Sequence, residues 1–294
     1  MSSANIYLDF FGFDNRPFSL VPDSDFLFWS EQHKRAYAIL EFGIFSSAPI
    51  TLITGEIGTG KTTLIQKLLD DASRDLTFGL VSNAHGDRGE LLQWILNALS
   101  VSFESKASYV EMFQILQDYL LEQYADGQRV IIVFDEAQNL TLEGLEELRL
   151  LTNINSKNDV LIQLILSGQP ELRDMVKSRS MQQLAQRVAA SFHLGPMDAE
   201  TTIEYLSHRL KTAGGTGLEF TPAACKMIHG EAGGVPRLVN QLCEFCLLYA
   251  WEAESRVVDE ITVRNVLDDD IFFKGYQPAS PPLALIEAGG DSNG

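Results

Sequence analysis

The chain has 294 residues, 45% hydrophobic and 21% charged, which is the balance of a folded globular protein with room for one large domain or two smaller ones and excludes a disordered chain. Its 22 Lys and Arg against 40 Asp and Glu give a net charge of −18, which excludes a uniformly basic nucleic-acid surface but not a local basic patch. Three cysteines, Cys225, Cys243 and Cys246, lack a disulfide-framework spacing and suit a reducing compartment, and the lone Cys243-x-x-Cys246 pair falls inside a helical pattern that argues against metal or redox use.

Residues 1–30 form an aromatic N-terminal arm. Met1 to Phe10 carries no basic residue and no apolar core of a signal peptide. From Tyr7 through Phe13, Pro17-Phe18 and Pro22-Asp23, aromatics, Gly and Pro recur without a period, as in an ordered, loop-like arm that packs its rings onto another surface. Ser30 is a helix cap for Glu31 to Phe45, and Pro49 ends that element.

The apolar run Ile50-Thr51-Leu52-Ile53-Thr54 then leads into Gly55-Glu56-Ile57-Gly58-Thr59-Gly60-Lys61-Thr62, which fits G-x-x-x-x-G-K-[ST] in full, and Thr63 to Leu69 follows with helical spacing. The chemistry needs these residue types. Gly55 and Gly60 bring backbone N–H groups against phosphate oxygens, and a helix opening near Gly60 aims its positive end at the same anion. Lys61 is placed to reach the β- and γ-phosphates and the Thr62 hydroxyl to help hold Mg²⁺, so Gly55 to Thr63 is the expected nucleotide-contacting stretch of a nucleoside-triphosphate site.

Leu76 to Ser82 reads as a second strand, and Glu90 to Leu99 and Tyr109 to Tyr124 as helices. Val130 to Phe134 is continuously apolar, the mark of a strand buried on both faces of a parallel sheet, and Asp135-Glu136 follows at its carboxyl end, where ligands of such sheets bind. There Asp135 is expected to hold the Mg²⁺ shell and Glu136 to orient and deprotonate the attacking water. Leu142 to Leu151 is helical, Val160 to Leu166 is a further buried strand, and Ala189 to Leu194 is a last short one after two short helical pieces. Strands alternating with helices over residues 31–195 predict a P-loop α/β domain with a parallel sheet. Beyond it, Thr201 to Leu210, Pro222 to His229, Pro236 to Trp251 and Asp259 to Val266 predict a small all-helical domain over 196–273, followed by a flexible Pro- and Gly-rich tail at 274–294. No run approaches the ~18 apolar residues that a membrane helix needs, so the protein is expected in the cytoplasm without direct membrane insertion.

The combination resembles AAA+ ATPases of the general secretion pathway protein A (ExeA-like) group and their relatives in transposition (TniB/TnsC-like). The stretches that carry the resemblance are Phe10-Phe11-Gly12-Phe13, Pro17-Phe18-Ser19, Pro22-Asp23, the phosphate loop, Asp135-Glu136-Ala137-Gln138-Asn139-Leu140, Leu148-Arg149-Leu150-Leu151-Thr152-Asn153, Gly168-Gln169-Pro170-Glu171-Leu172, Leu184-x-x-Arg187-Val188 and Gly234-Val235-Pro236-Arg237-x-x-Asn240. The resemblance implies ATP and Mg²⁺ as ligands, a helical lid, and a homo-oligomeric ring or filament. It implies Arg187 as an arginine finger toward a neighbouring subunit and Arg237 as a sensor-2 arginine acting in cis. Ser167 and Gln169 are both candidates for sensor 1, Asn83 for a restraint on Glu136, and the aromatic arm for a neighbour of the adenine pocket.

Members of the group often continue into a membrane span and a cell-wall-binding domain, and this sequence carries neither up to Gly294, so an envelope role is expected to need a separate membrane partner. Two functions compete. One is an ATPase that remodels or regulates a protein assembly of secretion, pilus or surface-polysaccharide export, with an unknown client. The other is an ATP-controlled DNA-binding switch, for which Arg173, Lys177, Arg179 and Arg187 form the densest basic cluster. A degenerate scaffold is a poor third reading, because Lys61, Asp135, Glu136 and Arg237 are all intact.

Overall fold

A computed structural model describes residues 6–21, 23–82, 90–156 and 159–274. Five parallel strands, β1 (Ile50–Gly55), β2 (Leu76–Ser82), β3 (Arg129–Asp135), β6 (Ile162–Gly168) and β7 (Val188–Leu194), form one sheet in the order β2-β3-β6-β1-β7. Alternation along β3 explains its uninterrupted apolar run. Val130, Ile132 and Phe134 face a core shared with α4 (Glu90–Ala98), α5 (Tyr109–Ala125) and α6 (Leu142–Leu151), while Ile131 and Val133 face the opposite core. That second core is built from Ala36, Leu40 and Ile44 of α2 (Glu31–Phe45) and Leu64, Ile65 and Leu68 of α3 (Lys61–Asp70). Because both faces are filled, a one-residue slip would swap two sets of packed side chains, and the register is strongly fixed. It sets Phe134 beside Leu166 and Thr54 beside Gly168, so the carboxyl ends of β3, β6 and β1 finish at one edge.

The strand expected at Val160 to Leu166 begins later. Asn155–Ser156 (β4) and Asp159–Val160 (β5) pair as a small antiparallel hairpin, and β6 starts at Ile162 and runs on through Ser167 and Gly168. Polar Ser167 can sit within a fully buried strand because its hydroxyl has a carboxylate partner, described below. The short pieces before β7 are α7 (Pro170–Lys177) and α8 (Gln182–Ala185).

The helical region consists of α9 (Ala199–Thr212), α10 (Pro222–Ala232), α11 (Pro236–Glu252) and α12 (Glu260–Asp268), and its core holds all three cysteines as buried free thiols. The N-terminal arm belongs to this core. Tyr7, Leu8, Phe13, Phe18 and Phe26 are buried among the lid helices, with Phe18 edge-on to Phe220 at 5.8 Å between ring centres. An ion pair joins Arg16 to Glu244 of α11, and Asp14 N–H donates to Ala213 O at 2.8 Å. The arm is less loop-like than its composition suggests. Leu8–Phe11 closes one helical turn (α1), stopped by Gly12 at φ 77°, and Ser24–Phe26 forms a 3₁₀ turn.

Phe18 is wholly buried in this shared core. Phe18→Ala should therefore cost about 3–5 kcal/mol of unfolding free energy in equilibrium urea denaturation. A cost below about 1 kcal/mol would mean that the arm is not part of the lid core.

Candidate active site

The phosphate loop sits between β1 and α3. Gly58 and Gly60 adopt left-handed φ values of 82° and 99°, and both positions are also closely approached. A Cβ on Gly58 would stand 2.5 Å from Arg237 Cβ, and one on Gly60 would stand 3.0 Å from His33 Nε2. Lys61 is 5% exposed, and its ammonium donates to Gly55 O at 2.8 Å and Glu56 O at 2.9 Å. Burial holds its pKa below the ordinary lysine value, against the opposing pull of Glu136, Asp135 and Glu56.

Asp135 ends β3 facing two hydroxyls. Thr62 Oγ1 donates to Oδ2 at 2.8 Å, Ser167 Oγ donates to Oδ1 at 2.8 Å, and the Glu136 N–H adds a third bond to Oδ1 at 3.1 Å. Glu136 takes a left-handed conformation, φ 56° and ψ 38°, unusual for a residue with a side chain. Its Oε2 accepts from Gln138 Nε2 at 2.6 Å and from Gln169 Nε2 at 3.3 Å, while the Gln169 N–H donates to Gln138 Oε1 at 3.0 Å. The two sensor-1 candidates thus divide between the paired acids: Ser167 holds Asp135 and Gln169 holds Glu136.

One cavity is lined by residues 57–63 of the phosphate loop, Glu136, Arg237 and the arm segment around Val21 and Phe28. Arg237 is exposed at the start of α11, and its N–H donates to Gly58 O at 3.2 Å, joining lid to loop. Arg187 is not brought to this cavity. It lies just before β7 and is hydrogen-bonded to the Asn153 side chain. Asn83 lies outside the described residues.

Reasoning from sequence passed over three side chains that line the cavity, His33, Tyr205 and Arg209, and gave Asn240 and Gln138 no role although both stand in quoted motifs. His33 is buried in the first turn of α2. Its Nδ1 lies 2.7 Å from Ser30 Oγ and its Nε2 lies 3.2 Å from Thr59 O. A neutral ring with the proton on Nε2 satisfies both, donating to the loop carbonyl and accepting from the serine hydroxyl. The cap at Ser30 was readable in the sequence, but the reach from its third residue to a loop 26 positions away was not.

Burial lowers the pKa of His33, partly offset by the Thr59 carbonyl. The folded protein therefore resists protonating this ring, and its contribution is present above the unfolded histidine pKa of about 6.5 and fades as pH falls through the lower folded value. Acidification from pH 7 to 5 should destabilise the protein more than it destabilises His33→Gln, as read by urea midpoints. Parallel curves would show that His33 does not contribute.

Comparisons with known proteins agree with this geometry. Residues 44–176 match the family model described as an AAA domain. The chain is 36% identical over 291 residues to general secretion pathway protein A of Aeromonas hydrophila, covering 97% of this chain and 53% of that protein, so it spans about half the relative's length. Among solved structures, Cdc6p from Pyrobaculum aerophilum superposes with a TM-score of 0.67 at 17% identity, over 87% of this chain and 73% of that one. The Aeropyrum pernix ORC1 protein, solved in complex with DNA, gives 0.62 at 18% identity, over 87% and 69%. These distant structures share the fold. Among the described residues no helix is long and apolar enough to cross a membrane. The phosphate loop and the paired acids at the carboxyl end of β3 agree with the AAA-domain match over residues 44–176 and with the similarity to about half of general secretion pathway protein A.

Proposed function

We propose that the chain hydrolyses ATP with Mg²⁺ at the interfaces of a homo-oligomer and uses the cycle to remodel or regulate a protein assembly. The observation that carries this reading is the convergence of Lys61, Thr62, Asp135, Glu136 and Arg237 at the end of one sheet and the start of one lid helix. Lys61, turned onto loop carbonyls, has an ammonium ready to exchange those weak acceptors for phosphate oxygens. Thr62 and Asp135 present hard oxygen donors to each other at 2.8 Å, and these would hold Mg²⁺, which when bound neutralises charge on the phosphate oxygens. Ser167 and the Glu136 N–H fix the Asp135 carboxylate so that one face stays turned toward Thr62.

Glu136 is the proposed base for the attacking water, with Gln138 and Gln169 as the restraint on it. Two carboxamide donors on one carboxylate oxygen compete with water for the lone pairs that would take its proton. Arg237 would report the nucleotide to the lid, and Arg187 would serve a neighbouring copy as its finger. The name of the Aeromonas hydrophila relative favours a secretion-related assembly as client, with the chain acting from the cytoplasm. A second reading rests on exposed Arg173, Lys177 and Arg179 in and after α7 and on the DNA-bound state of the Aeropyrum pernix neighbour: a nucleotide-controlled switch on DNA. The net charge of −18 weighs against it.

Turnover per subunit, measured against protein concentration with and without duplex DNA, tests both. It should rise with concentration and ignore DNA. Glu136→Gln should lower it by about 10²-fold or more and Arg187→Ala by about 10³-fold. DNA-dependent turnover would shift the reading to the switch, and a rate untouched by Glu136→Gln would sink the assignment of the base. Gln138→Leu should raise the basal rate a fewfold, an increase that disappears when Glu136→Gln is added. A drop instead would mean that Gln138 aims Glu136 rather than restraining it.

A further inference from the structure

Arg209 of α9 is a buried cation without a carboxylate partner among the described residues. It is 8% exposed in a chain of net charge −18, yet among the described residues no acid lies within ion-pairing distance of it. Its contacts are of another kind. Nε donates to Pro17 O at 2.6 Å, one terminal nitrogen reaches Ser19 O at 3.4 Å, and the other stands 3.5 Å from the Tyr205 hydroxyl. The guanidinium carbon lies 4.7 Å from the centre of the Phe26 ring and 5.8 Å from that of Tyr205. An isolated buried charge is costly, and carbonyl dipoles with aromatic faces offset the cost only in part.

A guanidinium carries five N–H donors. These bonds occupy three of them, the two longest weakly, and the remaining two have no partner among the described residues. Arg209 also lines the same cavity as the phosphate loop, next to Phe26, Tyr205 and Asn240. Tyr205 cannot turn its hydroxyl proton into the cavity, because it donates to Asn240 Oδ1 at 2.7 Å. The donors left on this wall are those of Arg209 and the Asn240 amide.

Building on the nucleotide reading above, we infer that Arg209 sets recognition of the base end of the nucleotide. It pins the Pro17–Ser19 backbone of the arm to α9, which shapes the wall, and offers its free N–H groups to ring-nitrogen acceptors of a purine. The planar fork matters, since one guanidinium spans two backbone carbonyls and still has donors to spare, which a lysine ammonium cannot do in the same geometry.

Isothermal titration with Mg·ATP and with Mg·tripolyphosphate, which has no base or sugar, separates the base end from the phosphate end. Wild type should bind ATP at least roughly tenfold tighter than tripolyphosphate. Arg209→Met should bring that ratio close to one while leaving tripolyphosphate affinity within about twofold, and Arg209→Lys should not restore it. A folded Arg209→Met protein that keeps the wild-type ratio overturns the inference, as does a wild type that binds both ligands equally. Should Arg209→Met not fold, Phe26→Leu keeps the guanidinium and its carbonyl bonds but removes the ring. The ratio should then fall about threefold, and an unchanged ratio again overturns the inference. If wild type binds neither ligand, the nucleotide reading itself fails and takes this inference with it.

Discussion

The Asp135 carboxylate ties together three elements that are distant in sequence. Thr62 opens α3, Ser167 sits near the end of β6, and Asp135 ends β3, so two hydroxyl-to-carboxylate bonds of 2.8 Å close the corner where β1, β3 and β6 finish. A buried carboxylate needs such donors, and their geometry in turn depends on the strand register. The strict inward and outward alternation of β3, with both faces packed, keeps that register and therefore keeps the carboxylate opposite Thr62. Stability of the sheet and geometry of the site are one constraint.

The lid meets the phosphate loop through a second set of contacts. The chain passes between the lid core and the α/β domain twice, at Leu27–Ser30 and at Gly195–Asp198, because the arm is packed among the lid helices. Gln32 ties the crossings together: its Oε1 accepts the Gly195 N–H at 3.0 Å, and Nε2 reaches Pro196 O at 3.5 Å. From these crossings His33 reaches Thr59 O, and from α11 the Arg237 N–H reaches Gly58 O. Two adjacent peptides of the loop, both flanked by glycines in left-handed conformations, are thus held from the hinge side and from the lid side. Movement of the lid cannot leave the loop untouched.

Much of this was legible in the sequence for physical reasons. The phosphate loop and the acids after Val130–Phe134 are local patterns whose chemistry demands fixed spacing, and the lid helices announce themselves by caps and apolar recurrence. Less legible were features that depend on distant partners. The arm's aromatic residues showed that it would pack, but not that Phe18 would enter the lid core beside Phe220. Ser167 and Gln169 could not be ranked because their roles differ only through which acid each one touches. Arg209 gave no signal at all. In the last turn of a helix, an arginine reads as a complement to the dipole, and only the folded arm reveals it as a buried cation.

Positive charge around the site follows the same logic. Lys61, Arg209 and Arg237 are cationic side chains that line the cavity, with Arg209 held by the arm carbonyls and Lys61 by its own loop. Arg187 points its guanidinium to Asn153, on the segment after α6, rather than into the cavity of its own chain. Phosphoryl transfer spreads negative charge over oxygens that gain from an additional cation aimed at them. On the proposed reading, a second copy must bring its own Arg187 across. The cavity then holds everything for binding and water activation within one subunit, while the charge that stabilises the transition state arrives only with assembly. Such a division would make turnover a property of the oligomer, and the contact between Arg187 and Asn153 would then hold the proposed finger in one orientation in the free subunit.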